Sequence, residues 1–291
     1  MAGSCNELLN EQTRASVGPL VAAALAEDIG SGDLTASLIE PDVVVGAQIV
    51  AREAFVVCGE AWVDEVFRQL DDRIVVDWYV GDGGRADADD VVCKLVGPAG
   101  ALLTGERTAL NFLQTLSGTA TVTALYVEAV AGTSAKVLDT RKTIPGLRLA
   151  QKYAVTCGGG HNHRVGLFDA ILIKENHIKA AGSIAAALGE AAARHDDILI
   201  EIEVENHDEF LQALDAGAAR ILLDNFSLDA LRQAVAVNRD YGYAAAELEA
   251  SGNVTLDTIR DIAATGVDYI STGALTKNVR AVDLSMLLRI D

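Results

Sequence analysis

The sequence has few cysteines and no long apolar run. Its four cysteines, Cys5, Cys58, Cys93 and Cys157, are scattered without a C-x-x-C pair, which argues against a disulfide framework or a zinc knuckle and favours a reducing cytosol. No apolar stretch approaches the roughly 18 residues of a membrane span, and residues 1–16 lack the apolar core of an export signal. We therefore expect a cytoplasmic protein that is neither exported nor anchored.

Basic residues are also scarce. Lys and Arg number 23 against 42 Asp and Glu, which gives a net charge of −19. A field of this sign repels phosphate backbones and anionic membrane surfaces, so we expect neither nucleic acid nor a membrane as partner. The chain is half apolar and 22% charged over 291 residues, which is typical of a packed globular enzyme with room for a small domain followed by a barrel.

The first part of the chain, to about residue 115, indicates an α+β domain. Short apolar runs interrupted by Gly, Asp and Pro predict strands near 43–45, 55–57 and 74–76. Helical spacing of apolar residues predicts helices over 17–26 and 61–70. The segment 81–84, with three glycines around Asp82, predicts a tight turn that needs a positive φ.

From Ala135 onward, apolar runs alternate with Ala-rich helical stretches. The predicted strands are 136–138, 171–173, 199–204, 221–223, 244–248 and 269–271. Such alternation favours parallel strands with right-handed crossovers, closing toward a barrel. The carboxyl ends of barrel strands form one face, and that face carries the chemistry. The polar or glycine residues that follow the runs are Asp139, Thr140, Arg141, Lys142, Lys174, Glu203, Asp224, Ser251, Gly252, Thr272 and Gly273.

Two carboxylates at this face suit a magnesium ion. Glu203 and Asp224 each end a predicted strand, and Mg²⁺ takes one or two carboxylates while water and phosphate oxygens complete its shell. Glu201 shares a face with Glu203 because strand side chains alternate, and burying either acid is costly without a cation. The cations available in the pattern are Lys174, Arg141 and Lys142.

Between Asp139 and Lys179 the charge balance reverses. Seven Lys or Arg stand against three acids, so this stretch is locally +4. A positive site inside a negative molecule argues for a small anionic substrate. Three glycines at 158–160 precede His163 and Arg164; glycine lets the backbone approach a ligand, and an Arg fork fits a carboxylate. A zinc site formed by His161, His163 and His177 stays open as an alternative, although no fourth ligand stands at a known spacing.

Phosphate binding is predicted at the last two strands. Small residues in Ser251-Gly252-Asn253 and Ser271-Thr272-Gly273 expose backbone N–H groups, and loops after the late strands of such barrels are frequent phosphate sites.

Nine short motifs are spread over most of the chain: 27–35 (EDIGSGDLT), 105–113 (GERTALNFL), 139–148 (DTRKTIPGLR), 162–169 (NHRVGLFD), 173–177 (IKENH), 202–205 (IEVE), 223–225 (LDN), 249–252 (EASG) and 271–276 (STGALT). In these motifs, and along nearly its whole length, the sequence resembles the quinolinate phosphoribosyltransferase family. Phe168 and Glu175 depart from the Tyr and Asp expected there, in positions without an essential role. The resemblance implies an N-terminal α+β open sandwich domain, 1–116, followed by an incomplete parallel α/β barrel domain, 117–291, and we allow the last helix to pack back on the first domain.

The resemblance also implies roles. The reaction would join quinolinate to phosphoribosyl pyrophosphate and release pyrophosphate and carbon dioxide, giving nicotinate mononucleotide for de novo NAD biosynthesis, with Mg²⁺ as cofactor. Glu203 and Asp224 would hold the ribose hydroxyls and the metal, and Lys142 and Lys174 would meet the pyrophosphate; we count these four as catalytic. Thr140 counts among the substrate-binding residues. The quinolinate pocket would be Arg107, Arg141, His163, Arg164 and Lys174, and the 5′-phosphate would meet Ser251, Gly252 and Gly273.

The resemblance further implies a homodimer in which each sandwich domain covers the neighbour's barrel, and it leaves open whether dimers form a hexamer. Arg107 would then come from the partner subunit. A predicted helix over 106–116 places Leu110 and Leu113 on an inner face and Arg107, Asn111 and Gln114 on a polar stripe.

Three other functions stay open at this stage. A related pyrophosphorylase-like protein associated with molybdenum transport shares the barrel, but the intact Thr-Arg-Lys and Asn-His-Arg motifs favour quinolinate. Lys174 as the Schiff-base lysine of an aldolase would be trapped by borohydride with a carbonyl substrate. A silent phosphoribosyl pyrophosphate sensor would release no pyrophosphate with quinolinate.

Overall fold

The computed structural model describes residues 9–40, 43–195, 197–242 and 245–289. These residues divide into two compact units. The first, the N-terminal unit, takes 9–124, 144–159 and 278–289 of the described chain. The second, the barrel unit, takes 125–143 and the described part of 160–277.

The secondary structure alternates between strands and helices along the chain. The strands are β1 (Val44–Ala51), β2 (Phe55–Val56), β3 (Val75–Trp78), β4 (Arg85–Ala86), β5 (Val91–Pro98), β6 (Lys136–Leu138), β7 (Ile171–Ile173), β8 (Ile200–Val204), β9 (Arg220–Asp224), β10 (Glu247–Ser251), β11 (Tyr269–Ser271) and β12 (Leu284–Arg289). The helices are α1 (Glu11–Ile29), α2 (Glu60–Leu70), α3 (Ala99–Ala129), α4 (Arg148–Cys157), α5 (Glu175–Ala181), α6 (Ile184–Arg194), α7 (His207–Asp215), α8 (Leu228–Asp240), α9 (Ile259–Ala263) and α10 (Ala274–Lys277).

The N-terminal unit is built on an antiparallel sheet of order β12-β1-β5-β3 beside the two-stranded sheet β2-β4. Helix α1 begins after Asn10, whose side chain accepts a hydrogen bond from the Thr13 N–H, and ends at Gly30 in a positive-φ conformation. The fully buried side chains of this unit include Trp62, Phe67, Ile49, Leu95 and Leu102. The α+β expectation for this part is confirmed.

The barrel unit is built on six parallel strands in the order β6-β11-β10-β9-β8-β7. Helices follow the strands, and Ser183, Asn206 and Ser227 cap α6, α7 and α8 with their side-chain oxygens. Strands β6 and β7 are the edges of the described sheet, and a single parallel bridge joins Leu138 of β6 to His161. An incomplete α/β barrel is therefore confirmed.

Two expectations need correction. The strand predicted at 244–248 is β10, which begins at Glu247 and runs to Ser251; residue 244 lies outside the described chain. The last described element is strand β12 and not a helix, because Leu284 and Met286 alternate with the less buried Ser285 in the period of a strand. Strand β12 pairs with β1. Among the described residues, no helix has both the length and the apolar character needed to cross a bilayer.

Candidate active site

A cavity of about 330 Å³ opens at the carboxyl ends of the barrel strands. The residues that line it come from strand ends spread over more than a hundred positions of the sequence. Nine of the lining residues were predicted to bind substrate. The lining residues are Thr140, Arg141, Lys142, His163, Arg164, Leu172, Lys174, Glu203, Leu222, Asp224, Glu249, Ser251 and Ser271.

Three predicted residues do not line this cavity. Arg107 lies in the N-terminal unit, exposed on α3. Gly252 follows the lining residue Ser251 with a φ of +100°, and a Cβ there would lie 2.2 Å from the side-chain oxygen of Asn225. At Gly273 a Cβ would lie 2.9 Å from Cδ of Lys142. Both glycines therefore permit close packing at the edge of the site, and Gly252 also requires a conformation that side chains disfavour.

One wall of the cavity is basic. Arg141 and Arg164 are both half-buried. Burial lowers the pKa of the Arg164 guanidinium, and repulsion from Arg141 lowers it further. Two like charges held in a partly desolvated wall are stabilised by an anion between them, and guanidinium groups bind carboxylates and phosphates in bidentate geometry. This wall therefore suits an anionic substrate.

A second wall of the cavity is acidic and already contains one cation. Glu203 and Asp224 are half-buried, and the Lys174 ammonium forms a short ion pair with the Glu203 carboxylate. The Asn225 side chain donates a hydrogen bond of 2.8 Å to Asp224. The prediction that Lys174 pairs with a strand-end acid is confirmed for Glu203. For Glu201, the contact that the structure shows is with Nε2 of His163.

Two buried carboxyl groups lie at the floor. Glu201 and Glu249 are 1% and 0% exposed, and both point toward His163. Nε2 of His163 lies 2.9 Å from a Glu201 oxygen and 3.6 Å from a Glu249 oxygen. Burial and the neighbouring Glu201 raise the pKa of Glu249. Of the two groups, Glu201 offers the nearer oxygen to Nε2 of His163.

The segment with His163 is tied to the end of β6 by Asp139, which is fully buried. One Asp139 oxygen accepts the His163 N–H at 2.9 Å, and the other accepts the Asn162 side-chain amide at 2.7 Å. The carboxylate thus fixes the backbone that presents Arg164.

The sequence placed Asp139 at the strand-end face but gave it no role, and it did not place Glu249 at the site. Asp139 opens the Asp-Thr-Arg-Lys motif, and a strand-end acid followed by two cations is a signal that could have indicated an anchoring role. Glu249 was placed beyond its strand because the strand was predicted to end at 248. In the structure it lies inside β10, where alternation points it into the barrel.

The zinc alternative is not supported by the geometry. In the part of the chain that the structure describes, neither His161 nor His177 belongs to a group of three metal-ligating side chains, whereas His163 groups with Glu201 and Glu249. Nδ1 of His177 accepts the Lys174 N–H at the start of α5. His177 is therefore a helix cap.

Comparisons with known proteins match both units. A model described as "Quinolinate phosphoribosyl transferase, N-terminal domain" matches residues 33–117, and the corresponding C-terminal domain model matches residues 119–287. The "Probable nicotinate-nucleotide pyrophosphorylase [carboxylating]" of Bacillus subtilis is 43% identical over 262 residues, covering 89% of this chain and 89% of the relative. The Mycobacterium leprae nicotinate-nucleotide pyrophosphorylase [carboxylating] is 42% identical over 270 residues, covering 90% and 94%.

A solved structure gives the same result. The nicotinate-nucleotide pyrophosphorylase from Francisella tularensis superposes with a TM-score of 0.90 at 47% identity, covering 95% of this chain and 97% of that one.

Proposed function

Since this chain belongs to the quinolinate phosphoribosyl transferase family, it is a phosphoribosyl-transferring enzyme, and we propose that the cavity of the barrel unit carries the transfer to quinolinate. Phosphoribosyl pyrophosphate is the donor, and pyrophosphate, carbon dioxide and nicotinate mononucleotide are the products, in NAD biosynthesis. The observation that supports this most directly is that one cavity is lined both by basic residues, Arg141 and Arg164, and by acidic residues, Glu203 and Asp224.

The basic wall is the proposed quinolinate side. Quinolinate carries two adjacent carboxylates, and the basic wall together with Lys174, which pairs with Glu203 in the ligand-free protein, offers enough cationic donors to pair both. Nicotinate carries one carboxylate and leaves donors unpaired. Each unmade charge-assisted hydrogen bond costs about 1.5 to 3 kcal/mol, or roughly tenfold to a hundredfold in binding. Purified enzyme should therefore use nicotinate poorly, and equal turnover of the two acids would contradict this assignment.

The acidic wall and the loop at Ser251 are the proposed phosphoribosyl side. Ser251, Gly252 and Gly273 would accommodate the 5′-phosphate, since small residues let backbone N–H groups approach it. Thr140 and Lys142 lie beside them in the cavity. Lys142 is exposed, and with Lys174 it can pair with the charge of the departing pyrophosphate.

A magnesium ion fits the residues of this wall. Glu203 and Asp224 provide hard, half-buried carboxylate oxygens in the same cavity, the donor type that Mg²⁺ prefers when substrate phosphates complete its shell. These two residues would hold the ion. When bound, it would neutralise charge on the pyrophosphate. The Lys174 ammonium already pairs with Glu203, so the acidic wall can be neutralised in the ligand-free protein as well.

Catalysis on this proposal comes from positioning and charge. The phosphoribosyl donor and the pyridine would bind side by side in the one cavity, so the pyridine nitrogen would meet the ribose C1 as the bond to pyrophosphate loosens toward an oxocarbenium ion. The Schiff-base alternative requires a Lys174 amine that is free to attack a carbonyl, whereas Nζ of Lys174 is engaged in the ion pair with Glu203.

Pyrophosphate release on mixing the enzyme with quinolinate, phosphoribosyl pyrophosphate and Mg²⁺ tests the proposal. Release that depends on quinolinate and is accompanied by carbon dioxide supports it. A silent sensor would bind phosphoribosyl pyrophosphate without release, and an aldolase-type enzyme would be trapped by borohydride with a carbonyl substrate; either result would overturn it. Cytoplasmic location stays a prediction, which cell fractionation checks.

The active form is proposed to be a homodimer in which the partner subunit's Arg107 completes the quinolinate pocket. The family resemblance motivates this, and Arg107 is exposed on α3, whereas Leu110 and Leu113 of the same helix are buried.

Arg107→Ala and Lys174→Ala homodimers should each be nearly inactive. Mixing them should restore roughly a quarter of wild-type activity, since half of the dimers are mixed and each has one intact site. No recovery after proven subunit exchange would mean that Arg107 acts within its own chain or not at all. The mass of the particle in solution would distinguish a dimer from a hexamer.

A further inference from the structure

The His163 ring is held through both of its nitrogens. Nδ1 accepts the backbone N–H of Arg164 at 2.7 Å, and Nε2 lies 2.9 Å from a Glu201 oxygen. A ring nitrogen that accepts a hydrogen bond carries no proton, so the neutral imidazole has its proton on Nε2 and donates it to Glu201. The ring thus links a buried carboxylate to the backbone of a cavity-lining arginine.

Glu201 is well placed to set this arrangement. It is 1% exposed on β8, two positions before Glu203, and both side chains face the interior of the barrel. Glu249 is farther from Nε2, at 3.6 Å, which exceeds hydrogen-bonding range. Strand β8 pairs on both sides, with β7 and β9, so the Glu201 carboxylate projects from a fixed backbone.

Without the contact to Glu201, the ring would have a competing orientation. A histidine side chain can rotate about its ring bond, and the tautomer it adopts follows the hydrogen bonds offered to its two nitrogens. An acceptor at Nε2 selects the tautomer whose Nδ1 is free to accept the Arg164 N–H. Asp139 holds the His163 N–H from the other side. The backbone on both sides of His163 is then fixed before a substrate enters.

We propose that Glu201 is a positioning residue that acts through the His163 imidazole on the Arg164 backbone, and so fixes where the Arg164 guanidinium meets a carboxylate of the pyridine substrate. The identity of that substrate rests on the proposed function. On this proposal, His163 supplies orientation and a neutral ring, and the positive charge of the pocket comes from the arginines and Lys174. Glu201 itself touches no reacting atom.

Ligand-free protein provides the first test, because it needs no turnover. Heteronuclear NMR of the imidazole rings, with the His163 signals assigned by their loss in His163→Ala, should show a neutral ring protonated on Nε2 at neutral pH. Glu201→Gln should preserve that signature, since a Gln side-chain oxygen accepts the same hydrogen bond. Glu201→Leu should give a mixture of tautomers. A wild-type ring protonated on Nδ1, or an unchanged ring in Glu201→Leu, would overturn the proposal.

Ligand binding provides the second test. Calorimetry should show that Glu201→Leu weakens quinolinate binding about tenfold or more, whereas binding of phosphoribosyl pyrophosphate changes much less. Glu201→Gln should restore quinolinate binding to near the wild-type value. In a His163→Ala background, Glu201→Leu should have no further effect on quinolinate, because the two residues act in series. Additive effects, or equal losses for both ligands, would indicate a merely structural role for Glu201.

The two tests separate this proposal from the proposed function. If wild-type enzyme neither binds nor turns over quinolinate, the function fails while the NMR result still reports on Glu201. If quinolinate is turned over but the His163 ring is protonated on Nδ1, the proposed function stands and only the positioning role of Glu201 is overturned. Should Glu201→Leu not fold, the comparison of wild type, Glu201→Gln and His163→Ala still decides the ring's protonation and its coupling to quinolinate.

Discussion

Each unit buries a pair of carboxyl groups, and the two pairs differ in how many hydrogen bonds their oxygens accept. In the N-terminal unit, Asp82 accepts hydrogen bonds from the Gly59 N–H at 2.7 Å, the Glu60 N–H at 3.1 Å and the Tyr153 hydroxyl at 2.7 Å. Glu60 in turn accepts the Asp82 N–H. In the barrel unit, one Glu201 oxygen and both Glu249 oxygens are buried without a protein hydrogen-bond partner.

The difference separates a structural cluster from a functional one. A buried carboxyl whose oxygens are occupied by protein donors closes a turn and helps stabilise the fold, because each lost donor would cost free energy. Buried oxygens left without donors are not favourable for stability, and such local conflicts are expected where function requires them. Glu249 lines the cavity. The N-terminal pair should therefore govern stability, and the barrel residues should govern binding.

The largest expected effect is the loss of Asp82. Asp82→Ala leaves two buried backbone N–H groups and the Tyr153 hydroxyl without their acceptor. At about 1 kcal/mol or more for each of these groups, the free energy of unfolding should fall by at least about 3 kcal/mol. Asp82→Asn keeps one carbonyl oxygen and should cost less. Urea unfolding, followed by Trp62 fluorescence, measures both variants. If Asp82→Ala unfolds at the wild-type midpoint, the structural reading of this pair is wrong.

The next largest effect is on ligand binding, and it should differ between substitutions in the basic wall and in the acidic wall of the barrel cavity. Arg164→Ala should weaken quinolinate binding by about 2–3 kcal/mol, or roughly thirtyfold to a hundredfold, because a charge-assisted bidentate contact is lost. Asp224→Asn should instead weaken phosphoribosyl pyrophosphate binding and its Mg²⁺ dependence. Calorimetry with each ligand ranks the two variants, and unfolding curves should stay within about 1 kcal/mol of wild type. The opposite ranking would contradict the assignment of the walls.

The barrel was predictable because its signals are local and repeated. Strands β6, β7 and β11 lie where the apolar runs placed them, and strand-end residues such as Arg141 and Asp224 meet because parallel strands align their carboxyl ends. Glu249 was missed because a strand boundary moved by three residues, which changes a strand-end residue into an inward-facing one. Pattern alone does not fix such boundaries, since the pairing of neighbouring strands decides them.

The cluster in the N-terminal unit was less predictable. The 81–84 segment is a turn as expected, and Gly83 has a positive φ of 81°. Its Asp82 meets Tyr153, and potential ligand atoms of Cys58, Asp82 and Cys157 lie within 4.8 Å of one another. Cys58, Cys93 and Cys157 are all buried. The contacts made by Tyr153 and Cys157 join segments about 70 to 100 residues apart, and no local period of the sequence encodes them.

The smallest expected effect is the pH dependence contributed by Glu60. Burial raises the pKa of Glu60 from its ordinary value of 4.5 to about 7, and repulsion from Asp82 and Asp64 adds to the rise. The folded state therefore binds the Glu60 proton more tightly than the unfolded state does. The contribution of Glu60 to stability is fully present below pH 4.5 and is lost as the pH rises toward 7.

Glu60→Gln isolates this contribution, because its side-chain oxygen can still accept the Asp82 N–H while the titrating proton is removed. From pH 4.5 to 7 the wild type should lose stability relative to Glu60→Gln, by about 1–2 kcal/mol once solvent screening is allowed for. Urea unfolding of both proteins across this range measures the gap. Glu190→Gln, on the exposed face of α6, removes the same charge at the surface and should show a much flatter difference. If the difference in unfolding free energy between wild type and Glu60→Gln stays constant with pH, Glu60 has the same pKa in the folded and unfolded states. The predicted pH dependence would then be wrong.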